Sequence, residues 1–239
     1  TNHPDSRDEQ SQRRERRANI AMDGEAMRST EQNFAEHFRA LVQADLRARL
    51  GTAAATSRPF AERLALFWAN HFTVSQAKAG VRGLAGPFER EAIRPHIAGR
   101  FEDLLRAAVL HPAMLRYLDN EQSAGPRSPL VQRRAQAARR DEDNRPRISG
   151  LNENLAREVL ELHTLGAAAA RERTYTQADV TAFAAVLTGW RVPLYAYASE
   201  LAPGAAALQR VASRNALAPL GEASPTRFEP NWHEPGTKT

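Results

Sequence analysis

The segment 151–166 constrains the fold most, because it has the periodicity of one helix with two different faces. At about 100° per residue, four apolar side chains fall on one narrow stripe: Leu151, Leu155, Val159 and Leu162. Polar side chains fall on the opposite side: Glu153, Asn154, Arg157, Glu158 and Glu161. The stripe predicts packing against a core, whereas the polar side is either a solvated face or a functional site.

Helical spacing of apolar residues recurs along most of the chain, so we predict an all-α protein. One helix follows Ser57 with Pro59 in its first turn, and its apolar face is expected to consist of Phe60, Leu64, Phe67 and His71. Another helix begins near Phe101 and breaks at His111-Pro112. A third is capped by Thr176 and Asp179.

Composition divides the chain into a tail and a domain. Residues 1–28 are polar and predict a tail, and residues 29–239 predict one irregular helical domain with long loops. Residues 121–149, rich in Pro, Gly and charge, predict a long mobile loop. From Trp190 onward the segment is loop-rich, and only residues 227–229 suggest a strand. We expect the chain to be cut at both ends and the helical domain to be incomplete at its C-terminal end.

Composition also limits the chemistry. The 239 residues include no Cys, which excludes disulfides and thiolate nucleophiles or metal ligands. No apolar run approaches the roughly 18 residues of a membrane span, so we expect a soluble protein whose compartment, cytoplasmic or exported, stays open. The net charge of +5 comes from Arg, since Lys78 and Lys238 are the only lysines. The charge alone is a weak argument for nucleic acid.

The polar side of the 151–166 segment supplies the candidate catalytic residues. Glu158 and Glu161 lie one turn apart, and a close carboxylate pair can bind a hard cation or share acid/base work. His71 is the third candidate, as the partner that would orient a carboxylate or ligand; the alternative is a core histidine with satisfied nitrogens. Five further residues are candidate binding groups: Asn152, Asn154, Arg157, Asp119 and His163.

Each of these candidates has a structural alternative. Arg157 lies four residues from both Glu153 and Glu161, so the three side chains can form an ordinary ion-pair ladder. His163 can cap the last helical turn before Gly166. A di-iron Glu-x-x-His pattern needs Glu at position 160, where this chain has Leu160. The metal, if any, is therefore unidentified, and a divalent ion is the candidate cofactor.

The string Asn-Glu-Asn-x-x-Arg-Glu-x-x-Glu-Leu-His-Thr-Leu-Gly at 152–166 resembles the bacterial family called domain of unknown function 1800. Other strings resemble the same family in the same order, and they lie at 62–75, 111–120, 175–180, 187–190 and 233–239. The resemblance runs from about Ser57 to the last residue. It implies kinship, and it implies a protein partner, because relatives are often encoded beside sulfatase-like, exported proteins.

Three functions follow, in order of preference. The first is an interaction or scaffold protein acting with a partner of the sulfatase-like class. The second is a metal-assisted hydrolase built from His71, Glu158 and Glu161, with Asp119 as a further oxygen ligand. The third is nucleic-acid binding through residues 133–147, which acidic residues and the lack of aromatics disfavour. Whether the chain is an enzyme stays open.

Overall fold

The computed structural model describes residues 32–33, 36–78, 80–138, 150–172, 174–192 and 226–237, and these ranges are predominantly helical. The helices are α1 (36–55), α2 (Pro59–His71), α3 (Ala85–Phe88), α4 (Phe101–Leu110), α5 (Pro112–Tyr117), α6 (Pro129–Ala138), α7 (Asn154–Glu158), α8 (Ala167–Arg171) and α9 (Gln177–Leu187). The all-α prediction is confirmed. None of the helices in these ranges has the length and apolar character required to cross a membrane.

Short turns of other helix types link these helices. Three-residue 3₁₀ turns lie at Arg82–Leu84, Arg94–His96 and Asn120–Gln122, and π turns lie at Glu89–Ile93 and Val159–Thr164. The predicted tail at 1–28 lies outside the described residues.

The core takes side chains from α4, α5, α7 and α9 and from the segment 72–93. Its largest fully buried apolar side chains are Phe72, Ile93, Leu104, Met114, Leu115 and Leu155, followed by Val81, Val180 and Val192. In α4 the inward residues Leu104 and Ala108 are four apart, the spacing that places side chains on one helix face. Because α7 packs against α9, the conformation of the 151–166 segment is fixed by the core.

Two helix ends form as the sequence predicts. Pro112 is the first residue of α5, and the Nδ1 atom of His111 accepts a hydrogen bond from the amide of Ala113 at 3.1 Å. At the start of α9, Thr176 and Asp179 exchange the two hydrogen bonds of a capping box. Both ends satisfy backbone groups that a helix terminus leaves without partners.

The predicted apolar face of α2 is wrong for Phe60 and Phe67. Phe60 is 78% exposed and Phe67 is 58% exposed, whereas Glu62 and Ala65 on the other face are buried. A buried carboxylate is tolerated here because Arg94 donates two hydrogen bonds to Glu62, at 2.7 and 2.8 Å. The core side of α2 is therefore set by an ion pair, and two large aromatic rings are left at the surface.

Helix α1 continues through Gly51 to residue 55. It is largely exposed, and its described contacts with the body of the protein include those of Phe38, Asp45 and Arg49. Phe38 fits against Gly83, where a Cβ would lie 2.6 Å from the phenyl ring. Arg49 pairs with Glu89 and Asp45 pairs with Arg90. These contacts leave space between α1 and the rest of the structure.

The segment predicted as one long loop at 121–149 contains helix α6, so that prediction is wrong for Pro129–Ala138. Residues 139–149 lie outside the described residues. The strand suggested at 227–229 is confirmed: β2 (Arg227–Phe228) pairs antiparallel with β1 (Trp190–Arg191), with Trp190 opposite Phe228.

Candidate functional site

The 151–166 segment changes helix type in its middle. Helix α7 ends at Glu158, and the π turn Val159–Thr164 follows without a break. The amide of Leu165 donates to the carbonyl of Leu160 at 3.0 Å, a five-residue step, and the hydroxyl of Thr164 donates to the carbonyl of Val159 at 2.7 Å. A π turn holds more residues than an α turn, so it shifts which side chains face the core.

This shift overturns the prediction that Leu162 completes the apolar stripe. Leu155 and Val159 are buried as predicted, but Leu162 is 57% exposed and its place is taken by His163, which is 5% exposed. The sequence had predicted His163 as a binding group or as a cap of the last helical turn. Residue spacing alone assumes one helix type throughout, so it could not reveal the π turn.

His163 lies in an aromatic environment. Its ring centroid is 5.0 Å from that of Phe72 and 6.0 Å from that of His71. Burial lowers the pKa of His163 to about 4, with a smaller contribution from nearby His71. Its Nδ1 atom is buried and has no hydrogen-bond partner among the described residues. His163 is therefore a neutral imidazole at physiological pH.

His71 supports the end of the π turn. Its Nε2 atom lies 3.1 Å from the carbonyl oxygen of His163, so in the tautomer with a proton on Nε2 the ring donates to that carbonyl. Carbonyls near a helix end lack partners within the helix. His71 is thus a capping group contributed by α2, and the contact joins two segments that are 92 residues apart.

The polar side of the segment is tied to α9. Arg157 bonds both Glu153 and Glu161 at 3.3 Å, as the ladder interpretation predicts. In addition, Gln177 and Thr181 donate to Glu153, each at 2.7 Å. These two hydrogen bonds lower the pKa of Glu153. The ladder therefore includes an inter-helix contact that the sequence did not reveal.

The four residues proposed for a metal or acid/base cluster have separate environments. Glu161 bonds Arg157, His71 bonds the His163 carbonyl, and Asp119 pairs with Lys78 at 2.7 Å. Glu158 is half-buried and makes no hydrogen bond or ion pair with a described residue. Within the described ranges, no three His, Asp or Glu side chains are grouped so that they could hold a metal ion.

The remaining candidates stabilise the entry to α7. Asn152 donates through Nδ2 to the carbonyl of Leu118 at 3.1 Å, and its amide donates to the hydroxyl of Ser123 at 3.0 Å. The amide of Asn154 donates to Oδ1 of Asn152 at 2.9 Å. These bonds fasten the start of α7 to the turn after α5.

A polar junction that the sequence analysis missed lies beside this turn. The buried carboxylate of Glu234 accepts from the amide and the guanidinium of Arg127, and the amide of Glu234 donates to the hydroxyl of Thr188 at 2.9 Å. The side-chain amide of Asn120 donates to the carbonyl of Leu187 at 3.0 Å. Several of the strings noted in the sequence therefore meet at one place, which only a three-dimensional structure reveals.

Comparison with known proteins identifies a family. The family described as protein of unknown function, DUF1800, matches residues 1–239. No curated protein and no solved structure matches the chain. The match extends the resemblance from its starting point near Ser57 to the whole sequence, and the chain belongs to the DUF1800 family.

Proposed function

We propose that the chain is an interaction protein that binds a partner protein through an exposed apolar surface, which we call the aromatic face. The aromatic face consists of Phe60, Phe67, Phe101, Leu162 and Leu165. Each of these side chains is at least 42% exposed. Large apolar side chains grouped at a surface are typical of protein–protein interaction sites.

Ring contacts connect two members of the aromatic face, Phe67 and Phe101, through Trp68. Phe67 contacts Trp68 with ring centroids 5.0 Å apart, and Trp68 contacts Phe101 at 5.7 Å. Phe67 also stacks on His71 at 6.4 Å, and the ring of His71 lies 6.0 Å from that of His163, in the segment that carries Leu162 and Leu165. Rings that neighbours already hold in place lose little entropy on binding, which favours their use as anchors.

Two cations beside the aromatic face indicate the chemistry of the partner. Arg58 and Arg63 are exposed, and neither forms an ion pair with any residue that the structure describes. The acidic residue of the same helix, Glu62, is buried and paired with Arg94. An acidic segment with apolar residues on one side complements this surface. The resemblance adds the sulfatase-like, exported class as the source of that segment.

The experiment uses the full chain and a labelled helical peptide with Leu and Trp on one side and Glu on the other. Fluorescence anisotropy measures the Kd of this peptide and of a twin with Lys in place of Glu. The Phe60→Ser/Phe67→Ser variant should bind the acidic peptide at least about tenfold more weakly, since buried aromatic anchors are worth about 2 kcal/mol or more. The matched control is Leu41→Ser, at a similarly exposed position on α1.

Equal affinity of wild type and the double variant would refute the aromatic face as the binding surface. Equal affinity for the acidic peptide and its Lys twin would refute the acidic partner. Dimerisation of the wild type that the double variant abolishes would identify a second copy as the occupant. Co-expression with a sulfatase-like protein encoded beside the chain then tests whether that class supplies the acidic segment. Co-purification of the two proteins should depend on Phe60 and Phe67.

The two alternative functions gain no support from the described residues. His71, Glu158, Glu161 and Asp119 have no common ligand position that would suit a hydrolytic metal. The Arg-rich segment proposed for nucleic acid lies mainly at 139–147, outside the described residues.

A further inference from the structure

A cavity of about 450 Å³ lies between α1, the end of α2 and α3. Its size falls within the range of about 300–1,000 Å³ that is usual for small-molecule sites. Apolar atoms of Leu46, Ala69, Val74 and Phe88 form part of the wall. Three guanidinium groups, those of Arg49, Arg90 and Arg94, form another part.

Arg94 is a fixed part of that wall. Its guanidinium donates to Glu62 through two nitrogens and to Glu89 through two, at distances from 2.6 to 3.0 Å. The second oxygen of Glu89 accepts from Arg49 at 2.6 Å. The carboxylates of Glu62 and Glu89 therefore each use both oxygens on arginines, which leaves them poorly suited to hold a ligand.

Arg49 and Arg90 differ from Arg94 because each uses one nitrogen only. Arg49 donates through Nε to Glu89, and Arg90 donates through Nη1 to Asp45 at 2.5 Å. Their side chains are 44% and 54% exposed. Their other guanidinium nitrogens make no hydrogen bond to a described residue. Two cationic groups with unused donors thus lie on a partly apolar cavity.

We infer that this cavity binds a small anion in which a carboxylate or phosphate group is joined to an apolar body. Guanidinium groups form their strongest hydrogen bonds with these two anions, because the planar donor geometry matches the oxygens. The apolar body would lie against Leu46, Ala69, Val74 and Phe88. A cationic ligand would lie against three arginines, and of the carboxylate oxygens in the wall only Oδ2 of Asp45 has no arginine partner.

Isothermal titration calorimetry on the full chain tests the head group with three probes: octanoate, octyl phosphate and inorganic phosphate, with octylamine as the cationic comparison. We expect binding of at least one octyl anion and much weaker binding of octylamine. The Arg49→Gln/Arg90→Gln variant should bind the octyl anion at least about tenfold more weakly, because charge-assisted hydrogen bonds are lost. The control is Arg106→Gln, an exposed arginine of α4 outside the cavity.

Ala69→Leu tests the apolar part without touching a guanidinium. The larger side chain fills the cavity, so the affinity for both octyl anions should fall. The affinity for inorganic phosphate should stay unchanged. Circular dichroism and thermal unfolding confirm that each variant folds, and Arg49→Lys/Arg90→Lys serves as a charge-retaining second variant that should recover part of the affinity. No binding of any anion to the wild type, or binding unaffected by the Arg49→Gln/Arg90→Gln change, would overturn the inference. Equal affinity for octylamine would overturn the anionic class.

Discussion

His163 makes the stability of this protein depend on pH in a defined window. Burial lowers its pKa to about 4, against 6.5 for an ordinary histidine. Between these two values the unfolded chain binds a proton that the folded chain does not, so the free energy of unfolding falls as the pH falls from 6.5 to 4. At 1.36 kcal/mol per pKa unit, the loss is about 2 kcal/mol at pH 5 and about 3 kcal/mol at pH 4.

The effect is isolated by comparison with His163→Asn, which keeps a polar side chain and removes the titrating group. Urea unfolding of both proteins at several pH values between 7 and 4 gives two curves of the free energy of unfolding. The wild-type curve should fall more steeply by about 3 kcal/mol over this range, whereas carboxylates affect both curves alike. Replacing the exposed His37 with Asn is the control and should leave the slope unchanged.

Parallel curves for wild type and His163→Asn would refute the buried neutral imidazole. A steeper fall in the variant would show that the folded protein stabilises the protonated ring, which would contradict the aromatic surroundings described above.

Three further predictions concern stability. Leu155→Ala should lower the free energy of unfolding by about 2–5 kcal/mol, whereas Leu162→Ala in the same segment should change it by less than about 0.5 kcal/mol; similar urea midpoints would contradict the effect of the π turn. Thr176→Ala removes the capping box of α9 and should cost about 1 kcal/mol by thermal unfolding, so an unchanged melting temperature would count against it. Gly125→Ala places a Cβ 2.5 Å from Glu234 and should destabilise the native state by more than about 1 kcal/mol; a stable variant would mean that the chain at 226–237 can shift.

Local chemistry made several features predictable from the sequence. The Pro112 break and the Thr176 cap depend on residues within four positions of each other, so they need no knowledge of the fold. The all-α class follows in the same way from repeated spacing of apolar residues.

Features set by distant residues were not predictable. The inward face of α2 depends on Arg94, which is 32 residues from Glu62 and turns a charged side into the buried side. The inward position of His163 depends on the π turn and on contacts with Phe72 and His71 from α2. Periodicity predicts that Phe67 is buried and that His163 is not, and the structure shows the reverse. The proposed binding surface therefore includes Phe67, and His163 lies in the interior.

The junction at Glu234 has a consequence for how the chain reaches its native state. Glu234 contacts Arg127 across 107 residues and Thr188 across 46, and Trp232 accepts from the amide of Gly125 across a similar span. Contacts between residues so distant in sequence increase contact order, which slows folding more than it reduces stability. The helices can form from local contacts, whereas residues 226–237 can dock only after α5 and α9 are in place. We therefore expect Trp190 to pair with Phe228 late in folding, and the fluorescence of Trp190 and Trp232 should change in the slowest refolding phase.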